Sequence, residues 1–119
     1  MRPTVVITGS ALATSLGLTR DKTWDAILRG QCGMGPMSAL ETALPPGKDG
    51  GQAIELPADY APGLPREVRY LRWTIEGALR DAGVDRNRPP YAPERCGSML
   101  GTTLHGMRAA GRFLRTGDF

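Results

Sequence analysis

Thr4-Val5-Val6-Ile7-Thr8-Gly9 decides how this chain is read. Every residue from Thr4 to Thr8 is β-branched. A short continuous run of this kind, closed by glycine, predicts a strand buried on both faces, as in a parallel sheet. Working outward, Thr19 is placed to cap a helix. Asp21 falls in its first turn, where the helix dipole favours an anion. Trp24, Ile27 and Leu28 then recur at i, i+3 and i+4 and mark one helical face, and Gly30 sits where a helix commonly ends.

Residues 31–65 are punctuated throughout by Gly and Pro, including Gly33, Gly35, Pro36, Pro45, Pro46, Gly50, Gly51, Pro62 and Gly63. A loop region of this length is uncommon inside a small free-standing domain. Ala53 to Leu56 is the one stretch in it that reads as a short edge strand. Pro65 suits a first helical turn. Val68, Leu71, Ile75, Ala78 and Ala82 then step by 3, 4, 3 and 4, which predicts a helix over Pro65–Ala82, closed by Gly83. Arg66, Arg69, Arg72 and Arg80 lie mostly off that stripe, as on a solvated helix face. Pro89-Pro90 begins a linker. Cys96 to Leu100 reads as a second buried strand, Met107, Ala110 and Leu114 give a third helical face, and Thr116-Gly117-Asp118-Phe119 reads as a turn. The order β-α-(β)-α-β-α predicts a layered α/β fold.

Composition narrows the function classes. Fifteen basic residues face twelve acidic ones, for a net charge of +3. Nucleic-acid binding usually needs a more concentrated basic face, so the charge supports at most a preference for an acidic protein partner. The two cysteines, Cys32 and Cys96, form no disulfide framework. Met1-Arg2-Pro3 leads directly into the strand run without the long apolar region of a signal peptide, and no apolar run approaches a membrane span. The expectation is a soluble, cytoplasmic chain that engages neither nucleic acid nor membrane.

Strand followed by glycine and helix raises the question of a dinucleotide site. The positions four and six residues beyond Gly9 hold Ala13 and Ser15, where glycine is needed for backbone to approach a pyrophosphate. The first helix also begins too far from the strand to cap a phosphate. No Gly-Lys-Ser/Thr run is present. Cys32, Cys96 and His105 have no metal-ligand spacing, so neither a cofactor nor a metal is expected. With a single histidine, His105, the chain builds no Cys-His-His set. Both cysteines read as small buried hydrophobes. The loop Gly101 to Gly106 follows the second strand at its carboxyl end, where α/β sheets place ligands. Thr102 and Thr103 offer hydroxyls, Leu104 an apolar face and His105 a polar head. The same residues also suit a plain strand–helix connection in which Thr103 caps the helix.

Taken in order, these segments resemble the N-terminal part of a β-ketoacyl synthase, the decarboxylating condensing enzyme with a thiolase-like fold. The pieces are Val5-Val6-Ile7-Thr8-Gly9, Leu16-Gly17, Thr23-Trp24 with Ile27-Leu28 and Gly30, and Gly33-Met34-Gly35-Pro36. Later ones are Ala78-Leu79-Arg80-Asp81-Ala82-Gly83-Val84, and Arg95-Cys96-Gly97 leading to Gly101-Thr102-Thr103. The resemblance covers nearly all of residues 1–119. It implies a partial thiolase-like layered fold, a mixed sheet flanked by helices that is incomplete without further chain. It implies acyltransferase activity in fatty-acid or polyketide biosynthesis: decarboxylative Claisen condensation on an acyl group received from an acyl carrier protein. The implied partners are that carrier protein, the rest of the ketosynthase, and a second synthase unit in a homo- or heterodimer. The nucleophilic cysteine and the two histidines of the family lie beyond Phe119, so no catalytic residue is carried over and the chain alone is expected to be inactive. The implied substrate-binding residues are Thr103, Leu104 and His105, on a loop lining the acyl pocket. Leu104 matches a residue whose size limits the chain, while His105 departs from a glycine frequent at its place. A non-catalytic partner subunit resembling a chain-length factor shares this N-terminal pattern, and a small α/β binding module is a further alternative. The helix Pro65–Ala82 is about two turns shorter than in many relatives, which bears on Arg66, Arg69 and Arg72 as carrier-docking residues.

If Leu104 lines an acyl pocket, its volume sets how much chain fits. In the complete assembly, Leu104→Ala is expected to admit a longer acyl group. Leu104→Trp is expected to reject long groups while sparing short ones, since overpacking costs ~1–3 kcal/mol, on the order of a tenfold to hundredfold change in selectivity. The acyl-length profile of loading measures both; an unchanged profile in two folded variants removes Leu104 from the pocket.

Overall fold

The computed structural model describes residues 4–38, 49–102 and 107–117. Helix α1 spans Arg20–Leu28. Thr19 precedes it in extended conformation, and its hydroxyl accepts a hydrogen bond from the Lys22 N–H at 3.2 Å, satisfying one of the free donors of the first turn. Gly30 adopts φ +66°, which lets its N–H reach the Ile27 carbonyl at 2.9 Å while the Gln31 N–H reaches Ala26 at 3.0 Å. That pair of bonds closes the last carbonyls of the helix in a Schellman arrangement. Helix α2 spans Arg66–Asp81, with Pro65 just before it rather than within it. It ends in the same way: Gly83 at φ +67° bonds to Arg80, and Val84 bonds to Leu79. Helix α3 spans Met107–Thr116.

The strands depart from expectation. Among the described residues the sheet is a two-stranded antiparallel ribbon, β1 (Gly35–Pro36) against β2 (Asp49–Gly50), with Gly35 opposite Gly50 and Pro36 opposite Asp49. Beyond the ribbon, the Gln52 side chain brackets Ser38 at its backbone N–H and its hydroxyl. Thr4–Thr8 forms no strand; Val5 and Ile7 are 92% and 91% exposed. Cys96–Leu100 follows a 3₁₀ turn at Pro93–Arg95 and is likewise unpaired, with Met99 fully exposed. β-branching favours extended backbone, but a strand also needs a partner, and the described residues supply none to either run. Ala53–Leu56 is not a strand either. Side chains hold it: Tyr70 donates to the Ile54 carbonyl at 2.7 Å and Arg66 to that of Ala53 at 3.2 Å, while the Ile54 N–H donates to Thr14 at 3.0 Å. The described residues thus form a small mixed α/β arrangement of three helices and a two-stranded ribbon. The layered sheet expected from the sequence is not built by these residues.

The helix faces are turned over as well. On α1 the buried side chains are Thr23 and Ala26, while Trp24, Ile27 and Leu28 are exposed. Thr23 meets the turn at Thr14–Gly17, its hydroxyl 3.0 Å from that of Thr14, and the approach there is close. Gly17 shows the constraint, since a Cβ there would lie 2.8 Å from the Cβ of Lys22 and 2.9 Å from the Thr23 nitrogen. On α2 the inward side carries Tyr70, Trp73 and Gly77. The Trp73 indole donates to the Leu18 carbonyl at 2.8 Å, and its ring meets Tyr60 edge-on at 5.0 Å. Val68, Leu71 and Ile75, roughly half a turn away at 100° per residue, face outward.

Gly9 runs along the last turns of α2, where an added Cβ would fall on the Ala78 carbonyl and on Ala82. Gly9→Ala is expected to separate the two segments. Opening of the α2 amides should become easier by ~1–3 kcal/mol, read as a tenfold to hundredfold loss of hydrogen-exchange protection around Ala78–Ala82. Unchanged protection would mean the contact is not held in solution.

Candidate functional site

A cleft of about 330 Å³ opens where the N-terminal segment, the start of α1 and the inward side of α2 converge. Two small residues permit the convergence: Gly9 against Ala82, and Gly77, where a Cβ would stand 2.9 Å from that of Ala11. At its edge Asp81 Oδ2 accepts from the Ser10 N–H at 2.9 Å and from Arg20 Nη1 at 2.6 Å. Arg20 Nη1 also reaches Ser10 Oγ at 3.1 Å, and its Nε reaches Asp21 at 3.2 Å. The Ser10 N–H, and then the Arg20 guanidinium, hold the Asp81 carboxyl below its usual range; Asp81, and then Asp21, raise Arg20 in turn.

A second carboxylate bounds the cleft. Glu76 accepts from Arg72 Nε at 2.9 Å, from the Tyr60 hydroxyl at 2.9 Å and from Arg86 at 3.2 Å. The bonds from Arg72 and Tyr60 lower its pKa, while burial and then Glu76 push the Tyr60 hydroxyl up. Both carboxylates are therefore favoured in the ionised form, Asp81 through Oδ2 and Glu76 through both oxygens, which makes them weak proton acceptors. Tyr60 keeps its proton. This is an arrangement for fastening segments together, and it is poorly suited to general acid–base chemistry, which wants a pKa near the working pH.

The arginines of α2 do more than face solvent. Arg66 spans Glu55, the Ala53 carbonyl and the Tyr70 hydroxyl, with its guanidinium 4.5 Å from the centre of the Tyr70 ring. Arg69 donates to the carbonyls of Tyr60 at 2.9 Å and Pro57 at 2.6 Å. Together they fasten residues 53–60 to the helix. Arg72 is committed to Glu76, so three of the four side chains expected on a solvated face are engaged within the chain, while Arg80 stays exposed.

Thr103, Leu104 and His105, the pocket residues expected from the sequence, lie outside the described residues; Gly101 and Thr102 before them are exposed. Cys32 and Cys96 are exposed rather than buried as expected. Cys32 sits on the turn after α1, where its sulfur accepts only a long contact from the Met34 N–H at 3.5 Å. Cys96 rides the unpaired segment after the 3₁₀ turn, so neither thiol has a core to enter. Among the described residues no group of three or more His, Cys, Asp or Glu side chains could hold a metal ion, and no helix is long and apolar enough to cross a membrane. The residues that the sequence did not single out are Arg20, Tyr60, Glu76 and Asp81. Arg20 and Asp81 stand sixty-one positions apart and leave no local spacing signal. Comparison with protein-family models, with curated proteins and with solved structures returned no match.

The depressed pKa values set a pH dependence. Asp81 and Glu76 bind fewer protons in the folded state, so their contribution is present above the ordinary carboxylate pKa of about 4 and is lost as pH falls through the lower folded values. Protection of the Ser10 amide is expected to hold at neutral pH and to fall on acidification. Asp81→Asn should weaken it at pH 7 and flatten that acid limb. A Ser10 amide that exchanges alike in both proteins across the titration would dismiss the clasp.

Proposed function

We propose that this chain is the N-terminal part of a β-ketoacyl-[acyl-carrier-protein] synthase, with the thiolase-like layered fold completed by further polypeptide. The observation that carries the reading is the state of the two runs Thr4–Thr8 and Cys96–Leu100. Both are rich in apolar side chains, belong to no strand and are open to solvent. Such runs have the composition of sheet strands without a partner, and uncovered strand-forming segments are a liability that folded proteins remove. Strands supplied by the rest of a synthase would pair them. The ordered set of motifs from Val5-Val6-Ile7-Thr8-Gly9 to Gly101-Thr102-Thr103 gives that sheet its family resemblance.

In this reading the chain contributes the wall of an acyl pocket, and the remaining polypeptide contributes the chemistry. The acyl group is delivered by an acyl carrier protein onto a cysteine outside this chain. Two histidines, also outside it, assist loss of carbon dioxide from the malonyl unit, and the resulting carbanion attacks the thioester. The loop Gly101–Gly106 bounds the space the acyl chain occupies, and a second synthase unit completes a dimer. In the cleft at Asp81, the carboxylates of Asp81 and Glu76 hold Ser10 and Tyr60.

The decisive experiment is acyl loading of the complete assembly from an acylated carrier protein, followed by peptide mapping. The acyl group is expected on a cysteine other than Cys32 and Cys96, and Cys32→Ser and Cys96→Ser should both load at the normal level. Acylation of either residue refutes the division of labour, and an assembly that accepts no acyl group refutes the synthase reading. The 119-residue chain by itself is expected to lack a cooperative thermal transition; a sharp melt with dispersed amide signals would show that it needs no further chain.

A further inference from the structure

We draw no further inference here: the strongest candidate, the outward apolar groove of α2 lined by Val68, Leu71, Ile75 and Leu79, carries nothing because nothing in the structure shows what covers it.

Discussion

The hydroxyl of Thr14 is the point from which the described structure is organised. It accepts from the Leu16 and Gly17 N–H groups at 3.0 and 3.2 Å and lies 3.0 Å from the hydroxyl of Thr23 on α1. The Thr14 N–H closes the turn onto the Gly17 carbonyl at 2.8 Å, and the Thr14 carbonyl receives Ile54. One residue beyond the turn, the Leu18 carbonyl takes the indole of Trp73 from α2. Two helices and the 53–57 segment are therefore located by one tight turn. Each such bond contributes about 1 kcal/mol net, but a buried group left unpaired costs more, so the turn is harder to dismantle than its bond energies indicate.

The sequence was most legible where structure is local. Thr19, Gly30 and Gly83 announced helix ends because capping depends on the few residues that perform it, and each is found in that role. Which face would be buried was not legible. An apolar stripe such as Val68-Leu71-Ile75 states a preference for cover without supplying it, and in α1 the place against the turn went to Thr23, whose hydroxyl bonds there. The strand runs failed for a related reason. The β-branched residues of Thr4–Thr8 set backbone conformation, whereas pairing is a property of two segments. The clasp of Ser10, Arg20 and Asp81 depends on the chain returning to itself over a long separation, which periodicity does not encode.

The balance of forces in this molecule is unusual. Among the described residues Ala26 and Leu56 are the buried apolar side chains, while Trp24, Ile27, Leu28 and Met99 stand at the surface. Cohesion falls to polar contacts, and most of its ion pairs, such as Arg66–Glu55, have one or both members largely in water. Exposed pairs of this kind contribute roughly 0–1 kcal/mol each, against an ordering entropy of about 1–2 kcal/mol per residue. Additional apolar cover is what would shift that balance, and the surface already presents the side chains to receive it.

The solvent-facing position of both thiols has a practical consequence. Cys32 marks the glycine-rich turn after α1, and Cys96 marks the limb that follows α2; the chain has no other cysteine. Each accepts a thiol-directed label without any substitution. A donor and acceptor dye on the native pair would therefore follow the spacing of these two limbs directly, as a ruler that is part of the protein itself.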